Sequence, residues 1–455
     1  MRRKKIQLLL LLVLITYIVA GGVSGLLAYK DMKRLSRLNI SANGEGIKQA
    51  VTTAEKIRKE LILVQPLLII NRDWRQKLTL LEDIIDLKPV IYELAGVEDE
   101  KIFLLVMQNN TELRPSGGIW GSYGIMKVKD GQITSMKTDD TFNLDLANTG
   151  RFEPPLEMKD VFRDQWRFWN ANWSPDFKKS VEQGLYFYKQ IDPNVNFDGV
   201  IGPNLDYVLA LLRISGPLNL KSHAFTVDEN NFLQKMILEP MNPSSAQTLK
   251  DYVKNDEKNY LLADVGQDLI NKLLTANRAR DLAEATYAAL GNDNLLLYFS
   301  EPSLQAKAEK YDWAGRMPAG ENMVMAVDAN LGSKLDFWVE KKMKVEGLGD
   351  GKYRATLSYK NTIASNETSH MFKIYRDYLR LYVPKDAKLI SATGGQTPPT
   401  MQTDSKLGLN YIATTIVLPP AEEGVVIIEW QLNNPVAGSI AVLKQSGSHI
   451  VISSS

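Results

Sequence analysis

From Ile6 to Tyr29 the chain carries no charged residue, and Arg2, Arg3, Lys4 and Lys5 stand directly before that run. As a helix rising about 1.5 Å per residue the run reaches about 36 Å, enough to cross a hydrocarbon core of about 30 Å. The sequence therefore predicts a transmembrane signal-anchor helix over 6–29 behind a short basic cytoplasmic tail, residues 1–5. A cleaved export signal is the alternative, since Ile6 to Ala20 has the character of its apolar region and small residues follow from Gly21 to Gly25. The uncharged run is longer than an export signal needs, which favours the anchor. Lys30, Lys33, Arg34 and Arg37 match the four basic residues of the tail, so the positive-inside count is tied. With so short a tail the commoner outcome is export of the large remainder, and the expectation is a single-pass cell-membrane protein with its bulk extracytoplasmic.

The rest of the chain is too long for one ordinary domain; its 455 residues suggest two or three. A formal net charge of +1 offers no global field for nucleic acid, which is not an expected partner. With no cysteine there are no disulfides, thiolate metal sites or cysteine nucleophiles. His223, His370 and His449 stand in unrelated contexts, too little material for a histidine zinc site or a serine–histidine–aspartate triad.

Hydrophobic spacing divides the chain beyond the anchor into three regions. Over 30–98 apolar residues recur at helical intervals, among them Leu61, Ile62, Val64 and Leu67, then Leu78, Leu81, Ile84, Ile85 and Leu87. With "NRDW" at 71–74 as a break, this reads as a membrane-proximal helical hairpin, its stripes being packing faces. "KIFLLVMQ" at 101–108 has strand length, and a loop is expected after it. Asp130-Gly131 then sits between two alternating segments, a strong hairpin signal. "FDGVIG" at 197–202 reads as a buried strand, with a helix before it in "DFKKSVEQGLYFYKQI" and another after it in "LDYVLALLRISG". These elements predict an α/β or α+β mixed-sheet domain over 99–317. From 318 to 455 the period becomes two, in "LDFWVEKKMKVEGL", "KYRATLSYKN", "FKIYRDYLRLYVP" and "GVVIIEWQL", and an immunoglobulin-like β-sandwich is expected.

The residues that suggest chemistry lie in two stretches. The first is "QNNTELRPSGGIWGSYG" at 108–124, followed by "TDDTFNLD". Arg114 precedes a proline, which favours extended geometry, and Gly117, Gly118 and Gly121 allow close approach of backbone to a ligand. Asp139 and Asp140 offer adjacent carboxylates for a hard cation, magnesium being the candidate, although acid pairs after a strand are more often turn or cap residues. Glu112 is equally placed to be a salt-bridge partner. The second stretch is "RDQWRFWNANWSPDF" at 163–177, where Arg163 and Arg167 stand among Trp166, Phe168, Trp169 and Trp173. Guanidiniums can clamp an anion while aromatic faces stack on rings, so sugars and phosphates both suit it. An aromatic plug beneath a loop, with arginines reaching outward, is the alternative. No nucleotide-binding glycine motif occurs, and "GGIWG" lacks the strand, helix and lysine that a phosphate loop requires.

"NNTELRPSGGIWGSYG", "NANWSPDF", "FDGVIG" and "ISGPL", in this order, resemble the bacterial family known as domain of unknown function 4012, membrane-anchored proteins with an extracytoplasmic region. More remotely, the succession of "IFLLVMQNN", the hairpin ending in "TDDT", "NANW" and "NFDGVIGPNLDYVLALLRISGPLNL" resembles the LytR-CpsA-Psr phosphotransferases. That resemblance implies transfer of a glycopolymer from a polyprenyl pyrophosphate carrier, with arginines on the pyrophosphate and an aspartate-held magnesium. Arg114 then matches the first arginine and Asp140 the aspartate, the two catalytic candidates. Glu112, Asn172, Arg163, Arg167, Trp173 and Asp176 are the ligand-binding candidates, and Asp139 with Asp140 the metal candidates. The sequence departs from the pattern at Gly117, where an aspartate is expected, and at Asp139, where a second arginine is expected. These losses remove part of the electrostatic clamp that phosphoryl transfer needs. Two functions therefore stand side by side: a transferase acting on lipid-linked glycopolymers, and an envelope binding or structural module that kept the scaffold.

Overall fold

The computed structural model describes residues 43–61, 72–148, 150–155, 158–159, 166–220, 225–238, 265–266, 268–269, 271–273, 278–318, 322–367, 373–433 and 440–454. The anchor expected over 6–29 lies outside them; among the described residues no helix is long and apolar enough to cross a membrane. The chain divides into two compact units, residues 1–102 with 126–136 and residues 103–125 with 137–455.

The first unit holds helices α1 (Gly44–Leu61), α2 (Arg72–Asp86) and α3 (Lys88–Leu94). Ala54, Ile57 and Leu61 of α1 pack with Leu78 and Leu81 of α2, so the apolar intervals are indeed a packing stripe. The unit also takes in Asp130 and Gly131, whose φ of 51° and 74° give the paired left-handed conformation that a two-residue hairpin turn demands. The turn is held by Asp130 N–H donating to the Gly96 carbonyl at 2.9 Å and Gly131 N–H to that of Ala95 at 2.7 Å.

Three five-stranded sheets make up most of the β-structure, two of them wholly and the first in part within the second unit. The first contains β1 (Lys101–Arg114), β2 (Gly117–Lys129), β3 (Gln132–Asp140), β4 (Gly199–Pro203) and β7 (Leu295–Phe299), in the order β3-β2-β1-β4-β7. It is mixed: β4 runs parallel to β1, and β7 antiparallel to β4. Around it lie α4 (Thr141–Ala147), α5 (Phe177–Lys189), α6 (Leu205–Ser215), α7 (Ala279–Gly291) and α8 (Pro302–Lys310), with a short β5–β6 pair, Leu218–Leu220 and Phe225–Val227. One expectation is corrected here. The segment after residue 108 is no pliable loop: β1 continues to Arg114, and only Pro115 and Ser116 turn before β2 begins.

The period-two region forms the other two sheets. One has the order β12-β15-β10-β9-β17, from Ala387–Thr393, Glu423–Leu432, Lys352–Asn361, Val339–Gly349 and Val451–Ser454. The other has the order β13-β14-β11-β8-β16, from Thr400–Asp404, Leu409–Leu418, Tyr375–Val383, Met323–Val327 and Ala441–Leu443. Alternating side chains of both, such as Met343, Val345, Leu357, Ile428 and Trp430 against Val324, Leu379, Leu381, Ile412 and Ile416, share one core. Two sheets packed over one core are what the alternation predicts.

Candidate functional site

Residues 110 to 114 are all buried, and the pleat sets Glu112 and Arg114 on the same face. Arg114 is 1% exposed and Glu112 5%, and a salt bridge of 2.9 Å joins them. The guanidinium donates from Nε to Asn170 Oδ1 at 2.8 Å, and from Nη1 to the Asn330 carbonyl at 2.7 Å and the Leu113 carbonyl at 3.1 Å. It thus ties β1 to the short helical turn Phe168–Asn170 and to the segment after β8. A buried cation is tolerable only when its charge and its donors are met, and here they are met by the protein.

The chain on either side of Arg114 is fixed the same way. Leu113 donates its N–H to Asp336 Oδ2 at 2.9 Å and accepts from Asn330 N–H at 3.0 Å. Gln445 donates from Nε2 to the carbonyls of Arg114 at 3.0 Å and Asp328 at 2.8 Å. The glycines serve this packing. A Cβ on Gly118 would collide with the backbone of Asn109 and Asn110, and Gly117, at φ 144°, lies against the Gln108 side chain.

Asp140 sits elsewhere in the hydrogen-bond pattern. It is the N-cap of α4, accepting from Phe142 N–H at 2.8 Å, while Asp139 Oδ1 accepts from Asp140 N–H at 2.7 Å and Asn143 Nδ2 at 2.8 Å. Among the described residues no group of three or more histidine or acidic side chains is arranged to hold a metal ion. Asp176 caps α5 by accepting from Lys179 N–H, and its other oxygen accepts from Met317 N–H at 3.0 Å. Burial raises the pKa of Asp176 above its ordinary value, against the two backbone N–H donors that lower it. Asn172 donates to the Gly118 carbonyl at 2.8 Å, while its buried Oδ1 has no partner among the described residues. Trp173 lies beneath the Arg380 guanidinium, 5.3 Å from ring centre to carbon. Arg167 donates to the Asp145 and Asn148 carbonyls at 3.1 and 3.4 Å. Arg163 lies outside the described residues.

The aromatic stretch is divided. Phe168 and Trp173 are buried at 1% and 3%, whereas Trp169 is half-buried and packs on Phe142, itself 53% exposed, at 6.5 Å between ring centroids. Leu146, on α4 with Phe142, is also exposed.

A group not foreseen from the sequence lies in the sandwich core. Lys341 of β9, 4% exposed, reaches Asp336 Oδ1 at 2.6 Å and Asp328 Oδ2 at 2.8 Å. Tyr359 donates to Asp328 Oδ1 at 2.9 Å, and Tyr375 to Asp336 Oδ1 at 3.2 Å. Asp377, fully buried on β11, completes the group. Burial, then the Asp328 carboxylate, raise the Asp377 pKa well above the usual carboxylate value, which favours its neutral form. Burial alone would lower the Lys341 pKa, but the surrounding carboxylates outweigh it and hold the ammonium charged. The signal was parity: Lys341 alternates with Val339, Met343 and Val345, and Asp377 with Tyr375, Leu379 and Leu381, at core-facing positions.

Residues 98–240 match the model of a family described as Protein of unknown function (DUF4012). No curated protein matches the chain. Slight similarity to solved structures is found, two of which serve as examples. The Lin1025 protein from Listeria innocua is 14% identical over 50% of this chain and 84% of its own, with a TM-score of 0.25. Protein gbs0355 from Streptococcus agalactiae is 13% identical over 47% of this chain and 74% of its own, with a TM-score of 0.30. At such TM-scores the likenesses fix neither fold nor function.

Proposed function

We propose that this chain is a membrane-anchored, extracytoplasmic and non-catalytic module of the cell envelope, with cell-wall polysaccharide as its ligand class. The observation that carries this is the Arg114 guanidinium, 1% exposed and spent on Asn170, Leu113, Asn330 and Glu112. A pyrophosphate would have to draw it away from all of these, and transition-state charge is best stabilised by donors already aimed at it. The uncharged run 6–29 supports the anchor and the extracytoplasmic placement. The ligand surface is the exposed face of Phe142 and Trp169, where flat rings of this kind stack on sugars, with Arg167 nearby in sequence for anionic substituents.

The rival is the glycopolymer phosphotransferase, with Arg114 and Asp140 in catalytic roles and magnesium on Asp139 and Asp140. Titration calorimetry of the full chain separates the two, using soluble cell-wall glycan and polyprenyl pyrophosphate, each with and without magnesium. The expected result is magnesium-independent glycan binding that weakens in Trp169→Ala. Magnesium-dependent binding of the pyrophosphate, lost in Asp140→Asn, would overturn the proposal in favour of the transferase.

A further inference from the structure

The core group Lys341, Asp328, Asp336 and Asp377 gathers three buried carboxyls about one ammonium, which touches Asp328 and Asp336 directly. All four are at most 4% exposed. Ion pairs this deep are costly to desolvate, and a hydrophobic isostere would commonly serve the fold as well. The placement suggests chemistry instead. The Lys341 nitrogen is at 2.8 Å from an oxygen of Asp328, which brings it near the attack distance of about 3–3.5 Å to the carboxyl carbon. Among the described residues neither Asp377 oxygen has a hydrogen-bond partner, and burial, then the nearby Asp328 carboxylate, raise its pKa. A carboxyl buried without a donor favours its neutral form, so Asp377 is the acid available to Asp328. Tyr359 supplies a second donor to Asp328 Oδ1 at 2.9 Å.

We propose that Lys341 and Asp328 condense to an intramolecular amide that covalently joins the two sheets of the sandwich. The carboxylates favour the ammonium at rest, so the reactive form is the minor one in which Lys341 has given one proton to the Asp328 carboxylate, leaving a neutral amine beside a neutral acid. The amine nitrogen attacks Cγ of Asp328. Asp377 protonates the oxygen that takes up the developing charge, which Tyr359 also supports, and then recovers a proton from the nitrogen. The C–O bond of one hydroxyl then breaks, that hydroxyl departing as water with the proton that the other hydroxyl gives up through Asp377, and the remaining oxygen becomes the amide carbonyl. In sum an ammonium and a carboxylate become a secondary amide and one water, with no oxidant, reductant or co-reactant. The fixed approach supplies an effective concentration of order 10⁵ M or more, which favours the amide. Asp336 is not the acceptor. Its carboxylate is held by Leu113 N–H at 2.9 Å and Asn330 Nδ2 at 2.6 Å besides Tyr375, and these contacts fasten β1 to the sandwich. Lys341 is placed to bond to the residue directly after β8, the first strand beyond residue 318, and so to resist separation of the sheets under load.

The test is intact-mass measurement of the purified full chain followed by tryptic mapping. The mass is expected to lie one water below that of the sequence. In the linked protein trypsin spares Lys341, and the map contains a branched peptide joining the segment 317–334, which holds Asp328, to 335–342, which holds Lys341. Asp377→Asn keeps the shape of the relay but removes its acid, and is expected to restore the unlinked mass. Lys341→Met abolishes the branch. An intact wild-type mass equal to that of the sequence overturns the proposal, as does water loss mapped to Asp130-Gly131 or Asp350-Gly351, where ring closure at aspartate has the same mass. A loop within 335–342, the signature of Asp336 as acceptor, overturns the assignment to Asp328.

Discussion

Replacing Arg114 by methionine, which keeps much of the side-chain volume, isolates the loss of charge and donors. It leaves Glu112 at 5% exposure with no cation, and leaves Asn170 Oδ1 and the Asn330 carbonyl short of a donor. Breaking a buried pair costs about 3–5 kcal/mol. Each orphaned neutral acceptor adds about 1–3 kcal/mol, partly overlapping with that cost. The expected total is about 5 kcal/mol, against a stability of about 5–15 kcal/mol for a folded protein. Urea unfolding of the full chain, followed through tryptophan fluorescence, measures it. Trp120 and Trp173 are both buried in the same unit as Arg114 and report its unfolding. Adding Glu112→Leu to Arg114→Met removes the stranded carboxylate and is expected to recover a substantial part of the loss, which distinguishes an uncompensated charge from general damage. A loss below about 1 kcal/mol in Arg114→Met would refute the argument, since a guanidinium so cheaply removed is not holding the joint.

Two further substitutions separate roles that the sequence leaves merged. Asp140→Ala should cost about 1 kcal/mol by removing the α4 cap, whereas Asp140→Asn, an equally good cap, should leave the urea midpoint unchanged; equal losses in both would show that charge, not capping, is the role. Asp293, at φ 55°, is pushed up to about 6 by burial and then by the Asp312 carboxylate. Its folded pKa lies above the unfolded one, so its contribution is fully present below about pH 4 and is lost as pH rises through about 6. Asp293→Asn, which tolerates the same backbone, should therefore gain at most about 3 kcal/mol at pH 8 and little at pH 4. A gain independent of pH would contradict the assignment.

The sequence made the fold legible where hydrophobic period and turn chemistry agreed. Asp130-Gly131 announced its hairpin because only a few residues accept two successive left-handed conformations, and the change to period two announced the sheets of the sandwich. It misled at residues 108–118 for a physical reason. Amides, an acid, an arginine and glycines read locally as loop, and their burial depends on partners far along the chain: Asn170, Asn330, Asp336 and Gln445. No local pattern announces contacts over such separations.

The same distance explains why the candidate site was only partly legible. Glu112 and Arg114 were readable as a pair two residues apart on a strand, but whether the guanidinium faces solvent or core is decided by β8 and the turn after it. Parity was the overlooked clue. A lysine at a core-facing position of "VEKKMKVE" and an aspartate at one of "YRDYLRLYV" can be buried only together, and the structure places Lys341 and Asp377 beside Asp328. Arg114 answers to the same arithmetic one strand away, through Leu113 on Asp336. The charged residues of this chain that most resemble catalytic machinery are thereby those that bind its sheets to one another. A sandwich that must keep its sheets together has reason to bury its charges against one another.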